Sequence, residues 1–259
     1  MDRNMAPVGV LDSGVGGVYV LRQATRLMPR ENFLFYGDLG HAPYGTRPTG
    51  DIRRISMNAA RHLVDQGIKA LLVACNTATS AAVETMREEF SIPVVGVEPA
   101  LKPAVEAAGG GKIAVMATPA TLRLPRFARL LEACGAENQL VSMPCPGLSL
   151  MVERFGPGSP MVREYLSELF NDAPVDKLSG VVIGCTHYSY LKNDLRELLG
   201  DVPLFDGAGG AARQLRRVLE EGGLLAEQEG QVVFETSGSK ADIAMMEHFY
   251  QLAEDMHND

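Results

Sequence analysis

"KALLVACNTA", residues 69–78, and "GVVIGCTHYS", residues 180–189, have the same form. Each drives a short apolar run of strand type into a small residue, then a cysteine, then small polar side chains. Cys75 is followed 18 residues later by Pro93, and Cys185 is followed 18 residues later by Pro203. Each interval has room for one helix, and each proline opens the next apolar run. Upstream, "GVLDS" and "AVMAT" align as first strands, pairing Ser13 with Thr118. The chain therefore reads as two similar halves, joined near "VEPALKP", where prolines after a strand end suit a crossover.

The other apolar runs extend the pattern. "VGVL", "NFLFYG", "IPVVGV", "KIAVMA", "QLVSM", "VPLF" and "QVVFE" are short, rich in residues that favour strands, and mostly bounded by Gly, Pro, Asp or Thr. Between them, segments such as "DIRRISMNAARHLVDQG" and "HYSYLKNDLRELLG" place apolar residues three and four apart, the period of a helix with one buried face. Strand alternating with helix predicts open, mostly parallel sheets covered on both faces. The fold class is α/β: two similar domains related by a pseudo-twofold, facing each other across a cleft.

Composition narrows the function. With 259 residues the chain is long enough for two domains. A formal charge of −8 argues against nucleic acid as a partner, because neutralising phosphates takes a clustered basic surface. No apolar run approaches the ~18 residues of a membrane span, and "MDRNMAPVGV" has no signal-type apolar core, so a cytoplasmic protein is expected. The cysteines at 75, 134, 145 and 185 form no CxxC pair and have no histidine at zinc-finger spacing, so neither a metal site nor a disulfide framework is expected. Cys134 and Cys145 are read as structural.

In open α/β sheets, ligands bind beyond the carboxyl ends of the strands, where both repeated cysteines would sit. Each precedes a helix, whose N-terminal N–H groups should lower a thiol pKa that is ~8.5 in a free cysteine. One cysteine so placed could be a small buried hydrophobe. Two, at equivalent corners of facing halves, present thiols to both faces of whatever lies between them. That arrangement suits racemisation, in which a base removes a proton from one face and a conjugate acid returns one to the other. Rival chemistries find less support. "DSGVGG" resembles a phosphate loop but lacks GxGxxG spacing and a following GK[ST]. Cys185 and His187, two apart, are not thereby a nucleophile and its base. No lysine stands in the marked motifs to hold pyridoxal, and Lys69 and Lys112, at strand starts, belong at the opposite end of the sheets. A cofactor-free reaction is expected.

The motifs "LDSGVGG", "YGD", "PYG", "ACNTAT", "GVEPA" and "GCTHY", in this order, resemble those of the bacterial glutamate racemases of the cofactor-independent aspartate/glutamate racemase superfamily. The resemblance runs from about residue 8 to residue 206. It implies interconversion of L- and D-glutamate for peptidoglycan, with one domain formed by residues 1–98 plus 208–259 and the other by 99–207. It implies Cys75 as the base acting on D-glutamate and Cys185 as the base acting on L-glutamate. Asp12 would assist the first thiol, and His187 with Glu153 the second. Substrate contacts would come from Ser13, Pro43, Tyr44, Gly45, Asn76, Thr77, Thr121 and Thr186, neutral groups that can bind carboxylates through hydroxyls, amides and backbone N–H groups. In "HAPYGT", Pro43 fixes its own φ and Gly45 permits a tight turn, which would set the distance from the thiols to a side-chain carboxylate. Ser189 departs from the family's usual proline, and the "GAGG" after Asp206 is unusually glycine-rich. The oligomeric state stays open, with a homodimer among the options. An aspartate racemase, a single-cysteine isomerase and a non-enzymatic binder of acidic amino acids are the competing readings. Two placed thiols argue against the last two.

Overall fold

The computed structural model describes residues 3–171, 173 and 177–256 of the chain; the rest of both proposed domains lies outside the described residues. All nine expected strands are present: β1 (Val8–Asp12), β2 (Phe33–Gly37), β3 (Ala70–Val73), β4 (Val94–Gly96), β5 (Lys112–Ala117), β6 (Leu140–Pro144), β7 (Leu178–Ile183), β8 (Leu204–Asp206) and β9 (Val232–Thr236). The helices are α1 (Gly17–Leu27), α2 (Thr49–Asp65), α3 (Asn76–Glu89), α4 (Leu101–Ala108), α5 (Pro119–Arg123), α6 (Pro125–Cys134), α7 (Leu148–Phe155), α8 (Pro160–Asn171), α9 (Lys192–Leu199), α10 (Ala208–Glu221) and α11 (Lys240–Asp255). None is long and apolar enough to cross a membrane.

Two parallel sheets form, in the orders β4-β3-β1-β2-β9 and β6-β5-β7-β8. Read from β8, the second runs β8-β7-β5-β6, which is the order of the first with four added to each strand number. The repeat seen in the cysteine corners thus extends to strand order. β9 has no counterpart among the described residues: it pairs with β2 in parallel, Phe33 opposite Val232, and so joins the first sheet.

The strands are buried on both sides, and their alternate residues belong to different cores. Along β3, Ala70, Leu72 and Ala74 enter a large core containing residues of both sheets, while Leu71, Val73 and Cys75 enter a second packed beneath α2 and α3. Along β5, Ala114 and Met116 join the shared core, and Ile113, Val115 and Ala117 join a third beneath α4 and α6. At the starts of the strands, away from the cysteines, the wholly buried Lys69 ion-pairs with Glu31 at 2.5 Å. Its ammonium also donates to the carbonyls of Asn4 and Leu224, and Glu31 accepts from Ala226 N. This cluster ties the N-terminal segment and the α10–β9 connection to the first sheet. The connection out of the first half and the return into it cross at Glu98 and Gly207. A Cβ on Gly207 would stand 1.9 Å from the Glu98 carbonyl oxygen, which accounts for the first glycine of "GAGG".

Candidate active site

Cys75 ends β3 and caps α3. Its extended backbone turns the thiol toward the first helical N–H groups, and Ala78 N donates to Sγ at 3.4 Å. Ser13 Oγ lies 3.4 Å from the same sulfur. These contacts favour thiolate, as expected for a helix N-terminus, but they do not decide the outcome. Burial, reinforced by the charge of Asp12, pushes the Cys75 thiol up to about 12. Desolvating an anion outweighs two weak hydrogen bonds. The lowered thiol expected from the helix position is therefore corrected: Cys75 rests protonated.

Cys185 follows β7 at the corresponding place, yet its surroundings differ. Thr186–Leu191 is 3-10 and α9 begins only at Lys192, whereas the apolar spacing had suggested one continuous helix. The tighter winding places His187 Nδ1 3.8 Å from Cys185 Sγ. The other ring nitrogen, Nε2, meets Glu153 Oε1 at 2.7 Å. Burial opposes a charged imidazole, but the contacts to Cys185 and Glu153 prevail and hold His187 well above its ordinary pKa. Burial likewise opposes a charged Glu153, and His187 prevails in holding it below the usual carboxylate range. The pair is an imidazolium and a carboxylate beside the second thiol.

Asp12, at the end of β1, faces both corners. It accepts Gly14 N on Oδ1 at 2.7 Å and the Thr186 hydroxyl on Oδ2 at 3.2 Å, so its hydrogen bonds reach the second corner while its charge acts on Cys75. Burial pushes its carboxyl up to about 7, against the pull of His187. Asp12 therefore holds its proton to a higher pH than an ordinary carboxyl. The "DSGVGG" loop that follows is a contact surface between the halves. A Cβ on Gly14 would meet Glu153 Oε1 of the other half at 2.5 Å, whereas one on Gly17 would meet Asp12 Cβ of its own half at 2.5 Å. Val15 N donates to Glu153 Oε1 at 3.3 Å. The glycines let neighbouring segments of the chain approach closely, which answers the phosphate-loop reading.

The remaining expected residues close around these. Pro43, Tyr44 and Gly45 line the cleft, Pro43 behind a cis Ala42–Pro43 peptide. The Tyr44 hydroxyl is turned away and donates to the buried Asp38, which also bonds His41 Nδ1 at 2.8 Å. Gly45 does not have the positive φ of a tight turn. It is needed for close approach instead: a Cβ there would lie 2.8 Å from both Cβ and Cγ2 of Thr118, and its carbonyl accepts Ala120 N at 3.0 Å. Thr77, Thr118 and Thr121 bond one another through their hydroxyls at 2.9–3.0 Å, joining α3 of one half to α5 of the other. Thr118 lines the cleft, whereas Thr121 stands behind it with no exposed surface. Asn76 lines the cleft with its Oδ1 buried and without a hydrogen-bond partner.

Five residues of the lining, Gly14, Ala42, Thr118, Ser149 and Leu150, were not singled out as site residues in the sequence. Thr118 had a signal, since the repeat pairs it with Ser13. Ser149 and Leu150 precede Glu153 on α7, and Ser149, four positions before it, shares its helical face. Cys145 donates its thiol to the Met143 carbonyl at 3.2 Å inside the core and does not line the cavity, and Cys134 ends α6 half-buried.

Both thiols line one cavity of about 20 Å³ between the halves. Residues 21–215 match the model of the family described as Asp/Glu/Hydantoin racemase. The chain is 42% identical over 246 residues to a glutamate racemase of Clostridium botulinum, covering 94% of this chain and 96% of that one. The chain belongs to the glutamate racemases of this family. Among solved structures, a Thermus thermophilus glutamate racemase in complex with β-chloro-D-alanine is 36% identical with a TM-score of 0.81, covering 95% of this chain and 93% of that one. A Francisella tularensis glutamate racemase in complex with D-glutamate is 27% identical with a TM-score of 0.83, covering 96% and 94%. In this family member the cleft offers hydroxyls, an amide and the starts of α3, α5 and the 3-10 turn. His187 is the cationic side chain of its lining.

Proposed function

We propose that this racemase interconverts L- and D-glutamate in the cytoplasm, supplying D-glutamate for peptidoglycan, through proton transfer by Cys75 and Cys185. The observation that carries the reading is that the two thiols, one from each half, line a single cavity with neutral donors around them. The two domains are residues 1–98 with 208–259, and 99–207. D-glutamate in the Francisella relative and a D-amino-acid analogue in the Thermus relative support the substrate class.

In the D-to-L direction, Cys75 as thiolate takes the α-proton: the C–H bond breaks, S–H forms, and the electron pair is left on a planar carbanion. Cys185 then delivers its proton to the opposite face and becomes thiolate. The reverse direction exchanges the roles. Since burial keeps Cys75 protonated in the closed cleft, its proton must leave as substrate binds. Asp12, poised near neutral pH, is the group that receives it. His187, charged and braced by Glu153, stabilises a thiolate at Cys185 or reprotonates it. Ser13, Thr77, Thr118, Thr186 and the Tyr44–Gly45 backbone bind the carboxylates, and the unpaired Asn76 Oδ1 accepts from the α-ammonium.

Circular dichroism of either glutamate enantiomer with the protein and no additive tests this. The signal decays to zero if the reading holds. A signal that persists for glutamate and decays for aspartate assigns the protein to aspartate instead, and persistence for both refutes it.

A further inference from the structure

One crowded contact between the halves involves a residue outside the cavity. Gly16 caps α1 with φ −58° and ψ −37°, ordinary right-handed helical angles that any residue adopts. The reason for glycine is therefore not the backbone. A Cβ on Gly16 would lie 2.4 Å from His187 Nδ1, 2.6 Å from His187 N and 2.6 Å from Thr186 Oγ1. Two of these are side-chain atoms that face the second thiol and Asp12, and the third is backbone that cannot swing aside.

We propose that Gly16 is a positioning residue for the second thiol: its missing side chain lets the first half seat Thr186 and His187, holding the imidazole Nδ1 toward Cys185 and the Thr186 hydroxyl toward Asp12. This rests on the racemase reading for its catalytic consequence. Ordinary contact begins near 3.4 Å, so alanine at this position drives Nδ1 back by 1.0 Å. A shift of that size re-aims Nδ1 relative to Cys185 Sγ, which it meets at 3.8 Å. A misplacement of this size costs about a hundredfold in turnover. The groups that face the imidazole and set its charge are Cys185, Glu153 from α7 and Asp12 from β1.

The test compares the full-length protein with Gly16→Ala, Gly14→Ala and, as control, Gly210→Ala, where a Cβ meets nothing within 4 Å. His187 is titrated by NMR of labelled histidine, assigned through His187→Gln, and primary isotope effects are measured with α-deuterated L- and D-glutamate. For Gly16→Ala the expected results are a His187 midpoint moved down toward that of an exposed histidine and kcat about a hundredfold lower. The isotope effect should rise for L-glutamate, on which Cys185 acts, and fall for D-glutamate. Folded Gly16→Ala with an unmoved His187 midpoint and turnover within about twofold of wild type overturns the proposal. Should Gly16→Ala not fold, Gly14→Ala decides. There the far end of Glu153 must yield at 2.5 Å and the His187 ring, 3.1 Å away at Nε2, by a few tenths of an ångström; the His187 midpoint must still fall, an unmoved one overturning the proposal. A wild-type protein that racemises nothing would refute the racemase reading instead, while the titration would still judge the positioning of His187.

Discussion

Asp12→Asn separates what the carboxylate does for the fold from what it does for the reaction. Burial raises the Asp12 carboxyl from 3.8 to about 7. A group whose folded pKa lies above its unfolded one contributes most to stability below the unfolded value, here below about pH 4, and that contribution is lost as pH rises through about 7. The shift of about 3 units, at 1.36 kcal/mol each, sets an upper bound of about 4 kcal/mol lost by pH 8. Asparagine keeps an oxygen for Gly14 N or Thr186 and carries no charge to desolvate. Asp12→Asn should therefore be more stable than wild type at pH 8, by up to about 10 °C in Tm for a chain of this size, with the difference gone near pH 4. Thermal unfolding followed from pH 4 to pH 8 measures this. Turnover should move the other way, because the proton of Cys75 loses its acceptor. The reaction interconverts enantiomers, so its equilibrium constant is one and kcat/KM must fall equally in both directions. The asymmetry appears in the primary isotope effect, larger for D-glutamate. Parallel Tm-against-pH curves for the two proteins would refute the argument that Asp12 is a strained, poised carboxyl.

Cys75→Ser and Cys185→Ser should each abolish racemisation in both directions, since a hydroxyl is far less acidic than a thiol; correctly folded variants with wild-type turnover would exclude proton transfer by sulfur. Gly45→Val needs about 0.6 Å of room against Thr118, and should narrow the preference for glutamate over aspartate about tenfold, read as the ratio of their kcat/KM values; an unchanged ratio would detach this loop from substrate length. Lys69→Met leaves Glu31 buried without its partner and should cost about 3–5 kcal/mol in denaturant unfolding at unchanged kcat; a loss under about 1 kcal/mol would make the pair dispensable.

The strands and the repeat were legible because apolar runs, turn residues and the Cys-to-Pro spacing are local and periodic. Strand order followed the repeat, and the position of both cysteines at strand ends followed from it. Three features were not legible, each for the same physical reason: they depend on what lies across space. That Cys75 precedes a helix can be read from the sequence, but its burial, which reverses the direction of the pKa, cannot. The glycines at 14, 16, 17 and 45 look like turn or phosphate-loop residues until their neighbours Glu153, His187, Asp12 and Thr118 are known. Apolar spacing after Cys185 fits a helix, but does not distinguish the 3-10 winding of Thr186–Leu191 that brings His187 to the thiol.

The central claim is that two thiols work on opposite faces of one carbon, and the direct test is racemisation of protiated L-glutamate in D2O, stopped within the first few per cent of conversion. The thiol that delivers the proton is not the one that removed it, and it exchanges with solvent beforehand. The account therefore predicts D-glutamate carrying deuterium at the α-carbon from the earliest product, while the remaining L-glutamate stays largely protiated. Early D-glutamate that retains the substrate's own hydrogen would mean that a single base returns the proton it took, and would contradict the account.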